Sequence, residues 1–261
     1  MEKSFTLMSS NLCCWGNGDN AIAQRMPRVK ALYREWMPDL IGTQETTLTW
    51  KNFLIDALPE YGAVGEKREN IADPEHCVIF YKKARFDLLS TETFALSPSG
   101  AFGSTGWGEQ YPRICTYAVL LDRETQRKLS FFNLHLALCD QAQIPMLKMV
   151  LERAAGLHLP TLLTGDFNAV EGSDAYLFCT QHFEDAKKAA ADSDSGPTFH
   201  GFEGEYSNES CHGLPIDYCM AGRREFSVSS YKILRQQVNG KPISDHYPVL
   251  ATLALKDIPV R

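Results

Sequence analysis

The chain has 261 residues, of which 44% are hydrophobic and 22% are charged. This composition is typical of a globular protein and excludes an intrinsically disordered chain. The net charge of −6, from 26 basic and 32 acidic residues, gives no overall positive field, which disfavours a long nucleic acid as substrate. The length suits one α/β domain that spans residues 1–261.

The eight cysteines of the chain are expected to be reduced, because a protein of this length without a recognisable signal peptide is most often cytoplasmic. No apolar run is long enough to predict a transmembrane helix, so we expect no membrane partner. A zinc site built from His200, Cys211, His212 and Cys219 matches no common ligand spacing and is not favoured. The glycosylation sequon at Asn208-Glu209-Ser210 matters only in a secreted protein.

The first part of the chain alternates apolar strand patterns with helical patterns. Strands are predicted near residues 5–8, 39–44 and 61–64, and helices over residues 28–37 and 50–58, each helix ended by a proline. Residues 77–81 and 86–89 then predict a hairpin, and residues 115–122 and 129–136 predict another. Antiparallel neighbours are therefore expected within the sheets. The basic residues at 67–68, 82–85 and 223–224 are interpreted as solvated turns.

The second part of the chain contains a predicted helix over residues 146–157 and strands over 159–164 and 247–255. Two long segments, 97–111 and 192–213, show no clear periodicity. Long irregular loops in compact domains are often functional, and these two precede the candidate site residues Arg113 and Asp217. We therefore expect them to be substrate-binding loops.

Polar side chains recur where the apolar strands end. The positions are Asn11, Glu45, His135, Asp166 with Asn168, Asp217 after Ile216, and Asp245-His246 before the final strand. Strand ends present ligands in open α/β sheets, because they hold short polar side chains rigidly beside roomier loops. The recurrence predicts one shared site.

Four of these side chains are acids, and three of them, Glu45, Asp166 and Asp245, would repel one another if they gathered without a cation. Glu45, Asp166 and Asp245 therefore favour a hard divalent metal, Mg²⁺ with Mn²⁺ as the alternative, which takes carboxylate, water and phosphate oxygens. Asn11 and Asn168 add hydrogen bonds or a carbonyl ligand without further charge. The set predicts phosphoryl chemistry.

The histidines are expected to divide the work. Side chains of adjacent residues in an extended segment point to opposite faces, so His246 needs an acid other than Asp245, and Asp217 is the candidate. Such a couple raises the basicity of the imidazole and suits a general base acting on water. His135, oriented by Glu75, is predicted to bind a phosphate oxygen or to protonate the leaving group.

Two further residues are candidates for substrate binding. Arg113 supplies a forked donor that suits phosphate. Trp107, in a segment that also contains Tyr111, offers an aromatic face that would stack equally well on a sugar or a base.

The ordered motifs resemble those of the endonuclease/exonuclease/phosphatase superfamily, which has the deoxyribonuclease I-like fold. They are Asn11, Gln44-Glu45, Asn133-Leu134-His135, Gly165-Asp166-Phe167-Asn168, Ile216-Asp217-Tyr218 and Ser244-Asp245-His246. The resemblance implies a four-layer α/β sandwich, with two packed, mixed and largely antiparallel sheets and helices outside. It also implies metal-dependent attack of water on phosphorus.

The same resemblance implies roles for individual residues. Glu45 would be the central metal ligand, helped by Asn11 and Asp245. Asp166 and Asn168 would position the water or a phosphate oxygen. His246, paired with Asp217, would act as the base or as the electrostatic partner of the phosphoryl group. The presence of His135 makes the chain more similar to the deoxyribonuclease I, sphingomyelinase and deadenylase branches than to the apurinic endonucleases.

The substrate is less well determined than the reaction, because members of the superfamily cleave nucleic acids, sphingomyelin, inositol phosphates and small phosphomonoesters. The acidic charge and the short chain favour a resemblance to small bacterial members and a phosphatase of a small metabolite such as a sugar phosphate. A DNA or RNA nuclease is the alternative. An inactive binding module would have lost a metal ligand or a histidine, and none is missing. The sequence does not indicate the oligomeric state.

Overall fold

The computed structural model describes residues 3–203 and 213–257. Its strands are β1 (Ser4–Asn11), β2 (Leu40–Thr47), β3 (Tyr61–Val64), β4 (Glu75–Lys82), β5 (Phe86–Ala95), β6 (Ile114–Asp122), β7 (Arg127–His135), β8 (Thr161–Asp166), β9 (Phe183–Asp185), β10 (Asp192–Ser193), β11 (Asp217–Gly222), β12 (Phe226–Ile233) and β13 (Val249–Leu255). Its helices are α1 (Ile22–Trp36), α2 (Leu48–Ala57), α3 (Asp140–Leu157), α4 (Asp174–His182) and α5 (Ala186–Ala189), with a 3₁₀ turn at Gly18–Asn20. Asn208, Cys211 and His212 lie outside the described residues, and with them the sequon and most of the zinc alternative.

Two mixed sheets pack face to face, as the sequence predicts. One has seven strands in the order β10-β12-β13-β1-β2-β4-β3, and the other has six in the order β5-β6-β7-β8-β11-β9. One apolar cluster fills the space between the sheets, and two others lie under the helices on the outer faces. The layers are thus helix, sheet, sheet and helix. No helix in the described ranges is long and apolar enough to cross a membrane.

The prediction of a hairpin from residues 77–81 and 86–89 is wrong. β4 belongs to the seven-stranded sheet and β5 to the six-stranded sheet, so the turn between them crosses from one sheet to the other. Arg85 fixes this crossing: its buried guanidinium pairs with Asp122 at 3.2 Å and donates to the Ser4 carbonyl at 2.6 Å. A turn interpreted as solvated is therefore anchored between the sheets. The second predicted hairpin, β6–β7, is confirmed.

Helix α1 begins at Ile22, earlier than predicted. The prediction missed its first turns because they bury charged residues rather than apolar ones. Arg25 and Arg28 are both buried. Arg25 donates to the carbonyls of Leu12, Cys13 and Trp15, which lie in the loop after β1. The inner face of this helix end therefore has no apolar periodicity to detect.

Strand direction places the polar residues at one edge of the molecule. β1 and β2 run parallel, as do β7 and β8, so their carboxyl ends meet at that edge. β11 runs antiparallel to β8, with Asp217 opposite Asp166. Asp217 therefore begins a strand rather than ending one, which corrects the sequence interpretation. Its position at the shared edge is nevertheless as predicted.

Candidate active site

A pocket of about 660 Å³ opens at this edge between the two sheets. Most of the predicted site residues line it: Glu45, Glu75, Arg113, His135, Asp166, Asn168, Asp245 and His246. Asn11 and Asp217 lie beneath this lining and are hydrogen-bonded to it. Trp107 instead packs against the apolar cluster under α3. The sequence analysis therefore identified the pocket floor but chose the wrong aromatic residue.

Glu45 enters the pocket through an irregularity in β2. The β2–β4 register shifts between Thr43 and Thr46, and Glu45 has a φ of 51°. Bulges of this kind redirect a side chain at a strand end. The Glu45 carboxylate accepts hydrogen bonds from Asn11 Nδ2 at 3.0 Å and from the Cys14 N–H at 2.8 Å. Burial alone would raise its pKa, but the Cys14 N–H and the charge of His246 lower it overall.

Asp166 is held between two asparagines. Its Oδ2 accepts from Asn11 Nδ2 at 2.9 Å, and its Oδ1 accepts from the Asn168 N–H at 2.9 Å. The Asn11 amide thus bridges Glu45 and Asp166, while its oxygen accepts the N–H of Cys13 at 2.9 Å. That last hydrogen bond competes with the metal-ligand role predicted for Asn11. Asn11 acts here as the donor that sets the spacing of two carboxylates.

His246 forms the predicted contact with Asp217. Its Nδ1 lies 2.8 Å from Asp217 Oδ2, whereas its Nε2 lies 3.7 Å from Asp166 Oδ2 and 4.0 Å from Asp245 Oδ1. Burial would lower the pKa of His246, but Asp217, with Asp166 and Asp245, raises it well above its usual value. Of the two roles left open by the sequence, this direction favours a charged imidazolium beside the phosphoryl group over a base.

His135 has the opposite electrostatic character. Its Nε2 lies 3.0 Å from Asn168 Nδ2, which also donates to the Leu136 carbonyl, so the ring nitrogen accepts this bond. Burial and the charges of Arg113 and Arg68 hold the pKa of His135 well below its usual value. A neutral imidazole that accepts a hydrogen bond cannot protonate a leaving group from that nitrogen. This geometry disfavours the proton-donor role predicted for His135.

Glu75 does not orient His135, and that prediction is wrong. Its carboxylate pairs with Arg68 at 2.6 Å. The pKa of Glu75 is raised overall, chiefly by burial. The charge of Arg68 lowers this pKa, and the charge of Glu45 raises it further. Arg68 itself lines the pocket, so a basic doublet interpreted as a solvated turn contributes a cation to the site.

Arg113 is buried in the pocket wall, near the charges of Glu75 and Glu109. It is only 5% exposed, and its Nε has no hydrogen-bond acceptor. Among the described residues its guanidinium forms no ion pair, and its nearest aromatic contact is the Tyr111 ring at 5.9 Å. A buried cation of this kind is costly unless an anion approaches it. Arg113 lines the pocket, and its phosphate-binding role stays a prediction.

Glu45 and Asp166 fit a divalent metal, whereas the Nε2 lone pair of His135 already accepts the Asn168 N–H. Glu45, His135 and Asp166 each offer a ligand atom, and these atoms all lie within 4.8 Å of one another. Burial, and after it the charge of Asp217, raises the pKa of Asp166 to about 7. No lysine or arginine of the described ranges forms an ion pair with Glu45, Asp166 or Asp245. Asp245 lies outside the three-residue cluster.

A buried polar network supports the floor from below. Asn133 Oδ1 accepts from Gln44 Nε2 at 2.6 Å and from Thr164 Oγ1 at 3.0 Å, and its Nδ2 donates to the Thr43 carbonyl. The network joins β2 of one sheet to β7 and β8 of the other. Gly42 has no side chain to block it, since a Cβ there would lie 2.0 Å from Thr164 Oγ1. The two sheets are thereby fixed in register directly beneath the site.

Sequence reasoning missed several residues at the site. Cys14, Trp15 and Arg68 line the pocket. Thr198 Oγ1 accepts the N–H groups of Ile216 and Asp217 at 3.0 and 3.1 Å. None of these residues follows an apolar strand pattern. A polar residue after an apolar strand was the pattern that located the pocket floor, so it could not locate these residues.

Comparisons with known proteins agree with this geometry. The sequence model of the endonuclease/exonuclease/phosphatase family matches residues 8–246. The chain belongs to this family. Its members hydrolyse phosphoester bonds, so the chain is a phosphoric ester hydrolase by family. No curated protein sequence matches it.

Solved structures of similar proteins superpose on nearly the whole chain. A family member from Bacteroides vulgatus superposes with a TM-score of 0.89 at 26% identity, covering 98% of this chain and 100% of the other. The mannosyl-6-phosphatase of Bacteroides thetaiotaomicron gives 0.84 at 28%, covering 96% and 99%. The human Nocturnin catalytic domain, solved with bound sulfate, gives 0.73 at 17%, covering 98% and 96%. The last of these shows the fold alone.

Proposed function

We propose that the protein is a divalent-metal-dependent phosphatase that hydrolyses a phosphate monoester of a small metabolite, with a sugar phosphate as the leading candidate. The observation that carries this proposal is the placement of an unpaired buried cation and an acid cluster in one pocket. The buried guanidinium of Arg113 favours an anion, and the carboxylates of Glu45 and Asp166 favour a cation. A phosphate group bridging a metal and an arginine satisfies both.

The residues divide the reaction as follows. A Mg²⁺ or Mn²⁺ ion held by Glu45 and Asp166 would polarise the phosphate and neutralise its charge. Asp166 and Asn168 orient the attacking water. The imidazolium of His246, held by Asp217, faces the negative charge that develops on the phosphoryl oxygens. The Arg113 fork holds the remaining oxygens.

Three observations favour a small substrate over a nucleic acid. The pocket is of bounded volume, the chain carries a net charge of −6, and the pocket mouth has apolar rather than basic side chains. A backbone of many phosphates needs a basic groove to follow. The likeness to a mannosyl-6-phosphatase supports a sugar monoester. As part of the same proposal, the protein is a single-domain cytoplasmic enzyme, and its seven described cysteines are all free.

The direct test is a substrate panel with purified protein and Mg²⁺. Phosphate release would be measured from sugar, nucleoside and inositol monophosphates, alongside cleavage of single-stranded RNA and plasmid DNA. We expect monoester hydrolysis that EDTA abolishes. Rapid nicking of DNA with no monoester hydrolysis would replace this proposal with a nuclease.

Arg113 provides a sharper check on the phosphate position. Arg113→Lys keeps the charge but loses the fork, and we expect KM for the preferred monoester to rise about 10-fold. Arg224→Lys, on the exposed turn after β11, is the matched control and should leave KM unchanged. An unchanged KM in the Arg113 variant would remove this residue from the phosphate site.

A further inference from the structure

Three exposed hydrophobic side chains surround the mouth of the pocket. Trp15 is 57% exposed, Tyr111 47% and Leu138 58%, and all three line the pocket. They come from three separate loops, after β1, after β5 and after β7. Single exposed apolar residues are ordinary on a protein surface, but three that converge on one pocket form an apolar surface for a ligand. We refer to these three side chains as the rim.

Glu109 ties two of the rim loops together. Its buried carboxylate accepts the N–H groups of Gln110 and Tyr111 through Oε1, and that of Leu138 at 2.7 Å through Oε2. Burial would raise the pKa of Glu109, but these N–H groups and Arg113 lower it overall. The carboxylate is thus ionised, and it fixes Tyr111 relative to Leu138.

Arg25 holds the third loop in a similar way. Its buried guanidinium donates to the Cys13 and Trp15 carbonyls at 2.8 and 2.9 Å. The Trp15 ring packs edge to face against Phe202, with 5.6 Å between the ring centroids. The rim is therefore built before a ligand arrives, and the ligand need not order it.

Asp140 adds a polar group beside this apolar surface. It lies in the first turn of α3, lines the pocket and is exposed, and its carboxylate has no hydrogen-bond or ion-pair partner within the described ranges. A free carboxylate accepts hydrogen bonds from hydroxyl groups. It also repels a second phosphate, as would be present in a nucleic acid or a nucleoside diphosphate.

We propose that the rim and Asp140 form a subsite for the leaving group, and that this group is a neutral, polyhydroxylated six-membered sugar ring. The apolar face of the ring would lie on Trp15 and Tyr111, and a hydroxyl group would donate to Asp140. This inference rests on the proposed phosphatase function and assigns its selectivity to four residues outside the catalytic floor.

The test compares three monoesters that share the phosphate and differ in the leaving group. Glucose 6-phosphate carries a polyhydroxylated ring, glycerol 3-phosphate carries hydroxyl groups without a ring, and adenosine 5′-monophosphate carries a base. KM and kcat would be measured for the wild type and for Trp15→Ala, Tyr111→Ala and Asp140→Ala. Leu177→Ala, which removes an equally exposed side chain from α4, is the control.

Each of the three substitutions should raise KM for glucose 6-phosphate about 10-fold and leave kcat within about twofold, because the contacts removed are equally strong in the ground state and the transition state. KM for glycerol 3-phosphate should not change in the Trp15 and Tyr111 variants, nor should any value in the control. Equal effects on the ring and acyclic substrates, or none, would overturn the subsite while the phosphatase function stands. A preference for the nucleotide would overturn the sugar assignment. A wild type that hydrolyses none of the three would overturn the sugar assignment, and the phosphatase function would fall with it if no monoester of the wider panel is hydrolysed.

Discussion

The floor of the pocket, formed by Glu45, Asp166 and His246, is largely buried and held by short polar contacts, whereas the rim, formed by Trp15, Tyr111 and Leu138, is exposed and apolar. The floor residues lie at or near strand ends, which are held in register within the two sheets. The rim stands on loops that buried charges hold in place. Under the proposed function, reaction type and substrate choice depend on separate parts of this molecule. Changes in the floor should affect every ester, and changes in the rim should affect only some.

The largest expected effect comes from the metal centre of the floor. Glu45→Gln should lower kcat/KM roughly 10³-fold or more on every substrate, because a bound cation supplies several kcal/mol of charge stabilisation. EDTA should have the same effect on the wild type. Glu152→Gln, an exposed change on α3, is the control. A folded Glu45→Gln protein with full metal-dependent turnover would refute the assignment of Glu45.

The Asp217–His246 couple should give the next largest effect. In Asp217→Asn an amide replaces the carboxylate 2.8 Å from His246 Nδ1, so the imidazole loses the charge that holds its proton. We expect kcat to fall on the order of 10²-fold with KM little changed. Asp56→Asn on the exposed face of α2 provides the comparison. Unchanged turnover would mean that the couple has no part in the reaction.

Thr198 tests whether the floor depends on the backbone beneath it. This buried residue accepts the Ile216 and Asp217 N–H groups, and its own carbonyl accepts the N–H of Tyr247, the neighbour of His246, at 2.7 Å. It therefore links the backbone segments that carry the two members of the couple. Thr198→Val leaves two buried donors unpaired, which should cost about 1–3 kcal/mol of stability. It should also lower kcat about 10-fold. Thr198→Ser keeps the acceptor and should restore both values, and a valine variant indistinguishable from the serine variant would contradict this role.

The smallest predicted effect is on the pH dependence of stability. The pKa of His246 is raised in the folded protein, so its contribution is fully present below the unfolded value of about 6.5 and is lost as pH rises toward the folded value. The pKa of His135 is lowered in the folded protein, so this residue changes the free energy of unfolding only below pH 6.5. Asp166, whose pKa is raised to about 7, contributes to stability in the same direction as His246 until it ionises. The free energy of unfolding of the metal-free protein should therefore fall from pH 6.5 upward, by at most about 1.4 kcal/mol per pH unit for each of His246 and Asp166.

Urea unfolding in EDTA between pH 6.5 and about 8.5 measures this slope. Asp217→Asn should flatten it, since the partner that raises the His246 pKa is gone. A wild-type stability that is constant or rises across this window would show that His246 does not hold a proton in the folded state.

The difference between strand ends and loops also explains which site residues could be predicted from the sequence. Asp166 and His246 occur beside apolar strands, so their patterns locate them and their shared edge follows from strand direction. The sheet crossing at Arg85 could not be predicted, because a crossing turn and a hairpin turn have similar sequences. Glu109 presented the same difficulty, since a buried charge that binds backbone N–H groups has no apolar pattern around it.

The choice of aromatic residue failed for a related reason. Trp107 and Tyr111 occur in one irregular segment, and its path determines which ring faces the pocket. The hydrogen bonds of Glu109 to the Tyr111 and Leu138 N–H groups set that path. Tyr111 consequently lines the pocket and Trp107 packs inward.

The separation of floor and rim is tested most directly by one ratio, kcat/KM for glucose 6-phosphate divided by kcat/KM for glycerol 3-phosphate, measured in wild type, Asp217→Asn and Trp15→Ala. We predict that Asp217→Asn lowers both terms and leaves the ratio unchanged, whereas Trp15→Ala lowers the ratio about 10-fold. A ratio that falls equally in both variants, or in neither, would contradict the account.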